Sequence, residues 1–149
     1  MYLTTRRGAL LLGAGMSVAL FAADEGAATP AEADAEIAKF TGGKAAETGR
    51  IAIDLPEIAE NGNTVPLSIK VDSPMTTADY VSDILVVGDA NPNAGIVTFH
   101  LTPMSGRAEV ATRIRLGGTG NVTVAAKTST GKLYTERKAV KVTVGGCGG

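Results

Sequence analysis

Residues 65–71 read Val65-Pro66-Leu67-Ser68-Ile69-Lys70-Val71, so that apolar and polar side chains alternate along the whole stretch. Because successive side chains of a β-strand point to opposite faces, this alternation predicts a strand with one buried face and one solvated face. Similar patterns, or short apolar runs, occur at 51–55, 80–87, 97–101, 110–116, 122–126 and 140–144. The sequence therefore predicts an all-β fold of about seven strands.

The segments between the predicted strands are rich in turn-forming residues. Gly, Asn, Pro and Ser are concentrated at 56–64, 88–93, 105–106, 117–121 and 129–132. Closely spaced turns without alternating helices are typical of an immunoglobulin-like antiparallel β-sandwich, and they argue against a parallel sheet with a nucleotide crevice. A short helix is expected before the strands, over 32–41, because Ile37 and Phe40 share one helix face and Gly42-Gly43 follows them.

The N-terminus has the pattern of an export signal. Arg6 and Arg7 directly precede an uncharged apolar run, 9–23, which is short for a membrane span. The adjacent arginines resemble a twin-arginine signal. The alternative is a short signal anchor that stays uncleaved.

These features predict the following organisation. Residues 1–31 form a signal peptide, with the cleavage point anywhere between 22 and 35, and residues 32–144 form one β-sandwich domain. Residues 145–149 form a tail. The predicted location is the bacterial periplasm, where disulfides can form, and no membrane association is expected after cleavage. The formal net charge of -1 gives no electrostatic reason to bind nucleic acid.

Cys147 is the only cysteine, and it lies in the terminal stretch Gly145-Gly146-Cys147-Gly148-Gly149. A single cysteine cannot form an intrachain disulfide, and glycine neighbours at a chain end offer little to bury it. The thiol is therefore expected to be free or paired with another molecule, including a Cys147 to Cys147 disulfide between two copies. The glycines predict a flexible tether that reaches on the order of 17 Å when extended.

The chemistry of this thiol favours a carrier over a catalyst. No Lys, Arg or His stands next to Cys147 to stabilise its thiolate, so another protein has to load it. A frayed chain end without function is the alternative interpretation of the tail. A structural or adhesive module that uses Cys147 for intermolecular crosslinking is a second alternative, and a thiol-dependent enzyme, which lacks an evident base, is a third.

Three other residues are candidates for a site. His100 is the only histidine, so a metal site or a Cys-His nucleophile pair would need carboxylates or a second subunit, and no metal is expected. We predict that His100 faces outward from its strand. Arg113 and Arg115 share one strand face and form either an anion patch or partner-docking surface, or simply a solvated face.

Three stretches of the chain resemble the SoxY family, the sulfur-carrier subunit of the periplasmic thiosulfate-oxidising (Sox) system. They are 56–66, 98–110 with Thr98-Phe99-His100-Leu101-Thr102-Pro103, and the ending Val144-Gly145-Gly146-Cys147-Gly148-Gly149. The resemblance implies a non-enzymatic carrier without a cofactor. It implies that thiosulfate-derived adducts are held covalently on Cys147, with Gly145, Gly146, Gly148 and Gly149 as the flexible tether.

The resemblance also implies partners. A SoxZ-like β-sandwich subunit would form a heterodimer with this chain. A c-type cytochrome would couple thiosulfate to the thiol, a thiosulfohydrolase would release sulfate, and a sulfane dehydrogenase would oxidise the sulfur that remains attached.

Overall fold

The computed structural model describes Gly26 and residues 28–146. Most of the predicted signal peptide and three residues of the predicted tail, Cys147, Gly148 and Gly149, lie outside the described residues. The elements are α1 Pro30–Thr41, β1 Ile51–Asp54, β2 Ile58–Asn61, β3 Val65–Val71, β4 Val81–Gly88, β5 Gly95–His100, a 3-10 turn Pro103–Ser105, β6 Glu109–Ile114, β7 Gly120–Thr128 and β8 Leu133–Val144.

The strands form two sheets around a shared core. A three-stranded sheet has the order β1-β3-β6, and a five-stranded sheet has the order β2-β8-β7-β4-β5. Strand β3 matches the predicted 65–71, and its residues are buried and exposed in strict alternation. Its buried side chains, Leu67 and Ile69, belong to the same core as Ile84 and Val124 of the other sheet. The β-rich prediction with one short N-terminal helix is therefore confirmed.

The strand count and the pairing differ from the prediction. The structure has eight strands rather than about seven, and β2 lies within the segment 56–64 that was predicted to be a turn. Strand β2 also pairs parallel to β8, so the predicted all-antiparallel arrangement is wrong at this pair. The side chains give little signal for β2, because Ile58 is 60% exposed and only Ala59 is buried. Backbone hydrogen bonds to β8 hold it in place instead.

Strand β8 begins at Leu133, well before the predicted 140–144. Its first half pairs antiparallel with β7, from Leu133 to Val140. This part of the strand contains the polar run Thr135-Glu136-Arg137-Lys138, so the sequence shows no apolar pattern that would predict a strand there. The second half of β8 continues past the end of β7, where Thr119 Oγ1 accepts a hydrogen bond from the amide of Val142 at 2.9 Å.

Helix α1 covers the outer face of β4 and β7. It starts two residues before the predicted 32–41, because Thr29 caps it and Pro30 occupies its first turn. Thr29 and Glu32 form a capping box, in which the Thr29 amide donates to Glu32 Oε2 at 2.6 Å. Ala33 packs with Leu85 and Ala125 in a second apolar cluster. Strand β4 is therefore buried on both faces, which explains its continuous apolar run.

Candidate functional site: the root of the C-terminal tail

The chain stays hydrogen-bonded to the folded body beyond the end of β8. The amide of Gly62 donates to the carbonyl oxygen of Val144 at 2.8 Å, and the amide of Gly146 donates to that of Leu116 at 2.9 Å. The amide of Leu116 in turn donates to the carbonyl oxygen of Gly62 at 2.8 Å. Gly146 is buried. The packed backbone therefore extends through Gly146, two residues beyond the end of the predicted domain at 144.

Four glycines form the contact between the tail and the body: Gly62, Gly117, Gly145 and Gly146. We call this contact the glycine seam. A Cβ atom on Gly62 would overlap the carbonyl oxygen of Leu116 and would lie 2.7 Å from the amide nitrogen of Gly146. A Cβ on Gly145 would overlap the carbonyl oxygen of Gly117, and one on Gly146 would lie 3.0 Å from that of Gly62. The missing side chains at 145 and 146 therefore allow close backbone packing.

A cavity of about 430 Å³ adjoins the seam. It lies between β5 and β6, which are edge strands of different sheets. Its lining includes Ile96, Val97, Thr112, Arg113, Arg115 and Gly146. The cavity therefore combines apolar side chains with two guanidinium groups. Cys147 directly follows Gly146 in the sequence and lies outside the described residues.

Asn91 holds the loop between β4 and β5 against this site. Its side-chain amide donates to the carbonyl oxygen of Arg115 at 2.9 Å, and its Oδ1 accepts from the amide of Gly117 at 2.8 Å. Its own carbonyl oxygen accepts from the amide of Ala28 at 2.5 Å. One residue thus connects the start of the described body with the segment on which the tail rests.

Arg113 and Arg115 line the cavity beside the glycine seam, whereas His100 does not. Both arginines are exposed, line the cavity and flank Ile114, the last residue of β6. His100 ends β5, away from the cavity-lining Gly95 at the start of that strand. Its side chain is 77% exposed, as predicted for an outward-facing residue.

His100 is paired with a carboxylate. Its Nδ1 donates to Asp83 Oδ1 at 2.6 Å, and Ser82 Oγ donates to Asp83 Oδ2 at 2.7 Å. Partial burial by itself raises the pKa of Asp83, but the hydrogen bonds from Ser82 and His100 and the positive charges of His100 and Lys127 outweigh it. The pKa of Asp83 is therefore lowered from its usual value of 3.8. This pair forms a local anchor between β4 and β5.

Within 28–146, no group of three or more His, Cys, Asp or Glu side chains is arranged to hold a metal ion. None of the described helices is long and apolar enough to span a membrane. Sequence reasoning missed the functional placement of Gly62, Leu116, Gly117 and Asn91. Asn61-Gly62 and Gly117-Gly118 indicated turns; in the structure Asn61 ends β2, Gly62 begins a turn, and Gly117 and Gly118 lie in a bend. Nothing in the turn pattern signals that a distant tail packs there.

Two features define the class of this protein. The fold consists of two β-sheets, and the only cysteine of the sequence stands near the C-terminus. A family model described as "Sulfur oxidation protein SoxY" matches residues 37–147, so the matched region ends at Cys147. The chain belongs to the SoxY family. The sulfur carrier protein SoxY from Chlorobium limicola f thiosulfatophilum is 31% identical, with a TM-score of 0.63, and the match covers 75% of this chain and 92% of that one.

Superoxide reductases share the fold at lower identity. The neelaredoxin from Ignicoccus hospitalis is 19% identical with a TM-score of 0.56, covering 78% of this chain and 94% of that one. The putative superoxide reductase from Thermotoga maritima is 17% identical with a TM-score of 0.54, covering 69% and 89%. These two similarities concern the fold alone. Comparison with curated proteins gave no match.

Proposed function

We propose that this protein is a covalent carrier of sulfur intermediates in thiosulfate oxidation and that Cys147 is the attachment point. One observation carries the proposal: the SoxY family match ends at the only cysteine of the chain, one residue beyond the seam that fixes Gly146. The similar protein from Chlorobium limicola is described as a sulfur carrier, which supports the same role here.

The proposed loading step joins the Cys147 sulfur to the outer sulfur of thiosulfate. The thiol loses its proton, an S–S bond forms between Cys147 Sγ and the sulfane sulfur, and two electrons leave to an oxidant, which we propose is a c-type cytochrome. The product is an S-thiosulfonate carrying one negative charge. Water supplied in a thiosulfohydrolase then cleaves the bond between sulfane and sulfone sulfur, releasing hydrogen sulfate and leaving a persulfide on Cys147. A sulfane dehydrogenase would oxidise that persulfide further.

The protein itself is proposed to be a carrier and not an enzyme. The described residues that line the cavity beside the tail are glycines, apolar residues, Asn91, Asn93, Thr112 and two arginines, and none of their side chains is a general base at neutral pH. Arg113 and Arg115 are suited to attract an anionic sulfur adduct or an acidic partner surface toward the cavity. The partner enzymes would supply the oxidant and the activated water.

We further propose a SoxZ-like β-sandwich subunit as a heterodimer partner. The edge strands β1 and β6 of one sheet and β5 of the other present unpaired backbone groups that a second sheet can cover. The periplasm is the proposed location. We place the signal cleavage before Ala28, because Ala28 is already packed and Thr29 caps α1.

The intact mass of the exported protein tests the proposal. Protein purified from thiosulfate-grown cells is expected to carry thiosulfonate or persulfide sulfur on Cys147, and a reductant is expected to remove the thiol-exchangeable part. A Cys147→Ser protein, exported and folded to the same extent, is the control and should show no adduct. A thiol that stays unmodified contradicts the proposal. Function retained by Cys147→Ser would favour a tail without function, or the crosslinking module where other contacts supply its oligomer.

A further inference from the structure

We infer that the open edge of β6 is a docking site for an extended segment of another protein in which acidic and apolar residues alternate. The segment adds to β6 as an antiparallel strand, with acidic side chains beside Arg113 and apolar side chains in the cavity between β5 and β6. This inference narrows the proposal of a covering partner to one edge and one kind of segment. It does not depend on the carrier role, and its argument uses no residue of the tail.

One side of β6 carries backbone groups without partners. Directly before the strand, the amide of Val71 donates to the carbonyl oxygen of Ala108 at 2.9 Å. Because alternate residues of an antiparallel strand direct their backbone groups to opposite sides, the even-numbered residues of β6 bond to β3, whereas Glu109, Ala111 and Arg113 face away from it. Within the part of the chain that the structure describes, the backbone groups of these three residues meet no other strand. They are free to pair with an added one.

The side chain of Asn91 closes this edge at one end, because its Nδ2 donates to the carbonyl oxygen of Arg115 at 2.9 Å. Residues 109–113 remain open, which is about 17 Å of strand. Beside the end of β6 lies the cavity of about 430 Å³, which Ile96 and Val97 line from β5. Both side chains are only partly buried against the core. A cavity of this volume has the size of a pocket for several side chains and is much larger than a single inorganic anion.

The charge around the open edge favours an acidic occupant. Arg113 and Arg115 are exposed, and neither forms an ion pair with another described residue. The described residues that line the cavity include no Asp or Glu. The acidic side chain on the edge itself, Glu109, is already paired with Lys70 at 3.2 Å and with Arg107 at 4.0 Å. A segment with carboxylates therefore meets uncompensated positive charge, whereas a basic segment is repelled.

The directions of the side chains on β6 explain why acidic and apolar residues alternate in the segment. Val110, Thr112 and Ile114 face the inside of the sandwich, whereas Arg113 faces outward. In an added antiparallel strand, the residue opposite Arg113 has its side chain on the same outer face and exchanges backbone hydrogen bonds with Arg113. Its two neighbours direct their side chains inward, toward the cavity. The acidic residues therefore use their amides to bind β6, and the amides of the apolar residues point away from it.

Backbone methylation of a synthetic probe tests this arrangement. The probe is a hexapeptide of alternating Glu and Val, blocked at both ends, which is titrated into the full mature chain under reducing conditions. Amide NMR shifts are expected to change at 109–115 and at 96–98. Methylation of the Glu amides should abolish binding, whereas methylation of the Val amides should preserve it. A peptide of alternating Lys and Val should bind about tenfold more weakly, because two guanidinium groups repel it.

Three substitutions separate the role of charge from that of the backbone. Arg113→Gln is expected to weaken binding of the Glu peptide about two- to fivefold. Lys141→Gln removes the same charge from β8, a strand paired on both sides, and as the control should leave binding unchanged. Ala111→Pro removes an amide that faces the open edge, so it should abolish binding while the fold persists, because edge strands tolerate proline. If Ala111→Pro does not fold, the two methylated peptides still decide the question.

Equal binding of the Glu and Lys peptides overturns the inference, and so does equal binding of the two methylated peptides. The absence of shifts at 109–115 at millimolar concentrations of the Glu peptide overturns it as well. None of these measurements involves a sulfur adduct or a second subunit. The docking edge can therefore fail while carriage stands, and carriage can fail while the docking edge stands.

Discussion

The amide of Gly146 and the carbonyl oxygen of Leu116 lie 2.9 Å apart, joined by a hydrogen bond between the tail and the segment that follows β6. These residues are far apart in the sequence, and neither contributes a functional side chain to the other. Their bond fixes the residue that precedes the only cysteine. The folded body therefore holds the residue that directly precedes the proposed carrier cysteine.

Replacing Gly62 with alanine is expected to destabilise the fold as well as loosen the glycine seam. The added methyl group meets backbone atoms of Leu116 and Gly146, which cannot rotate away as a side chain could. Overpacking of this kind costs about 1–3 kcal/mol. Urea unfolding of Gly62→Ala beside Gly118→Ala measures the difference, and equal midpoints for the two variants would contradict the close approach.

Truncating a core residue of β3 is expected to cost more. Leu67 is 1% exposed and belongs to the core shared by the two sheets. Leu67→Ala should lower the free energy of unfolding by about 2–5 kcal/mol, because a cavity remains where the side chain was removed. Ile58→Ala is the control, since Ile58 is 60% exposed and its loss should change stability by less than about 0.5 kcal/mol.

The pair of His100 and Asp83 predicts a pH dependence at the acid end. Because the pKa of Asp83 is lowered in the folded state, the carboxylate stabilises the fold above its usual pKa of 3.8, and this contribution is lost as pH falls through the folded pKa. His100→Ala removes one hydrogen bond and one positive charge, so the stabilisation by the Asp83 carboxylate should begin to fall at a higher pH. The effect is expected to be about 0.2–1 kcal/mol, as His100 is largely exposed.

Denaturation curves between pH 3 and pH 6, a range chosen around the usual Asp pKa, measure this effect. Carrying out the same comparison in an Asp83→Asn background provides the control, because His100 then has no carboxylate to stabilise. A shift of equal size in both backgrounds would show that His100 acts through some other contact.

The capping box of α1 predicts the effect of changes near the signal boundary. Thr29→Ala removes the side chain that accepts from the Glu32 amide and should cost about 1 kcal/mol. A mature protein that begins after Thr29 should lose at least as much stability. N-terminal sequencing of the exported protein locates the cleavage point, and a mature chain that starts at Thr29 or later would contradict cleavage before Ala28.

Patterns of side-chain burial made most of the fold predictable from sequence. Val65 to Val71 alternates because one face of β3 meets the core, and the run at 80–87 is continuous because β4 is covered by the other sheet on one face and by α1 on the other. Strand β2 was not predicted, because it is held by backbone hydrogen bonds to β8 and its Ile58 faces solvent, so its side chains give no burial pattern. The SoxY family was predicted from three stretches of sequence and is confirmed by the family match, whereas the role of Cys147 as the carrier residue stays a prediction.

The seam could not be predicted for a related reason. Glycine at 145 and 146 indicates conformational freedom in a sequence, whereas here it also permits close packing against Gly62 and Gly117. Which role applies depends on what lies opposite, and that is set by the tertiary placement of two turns. The same holds for Arg113, whose position beside the tail follows from the pairing of β6 with β3.

The tail continues directly from β8, a strand of 12 residues hydrogen-bonded to β7 on one side and to β2 on the other. A partner that draws the thiol into its active site therefore pulls along the axis of β8. Such a load is borne in shear by many ladder bonds at once, whereas the bond between Gly146 and Leu116 sits at the tail end and opens first. Tension on the tail would therefore break this one hydrogen bond before it disturbs the ladder of β8.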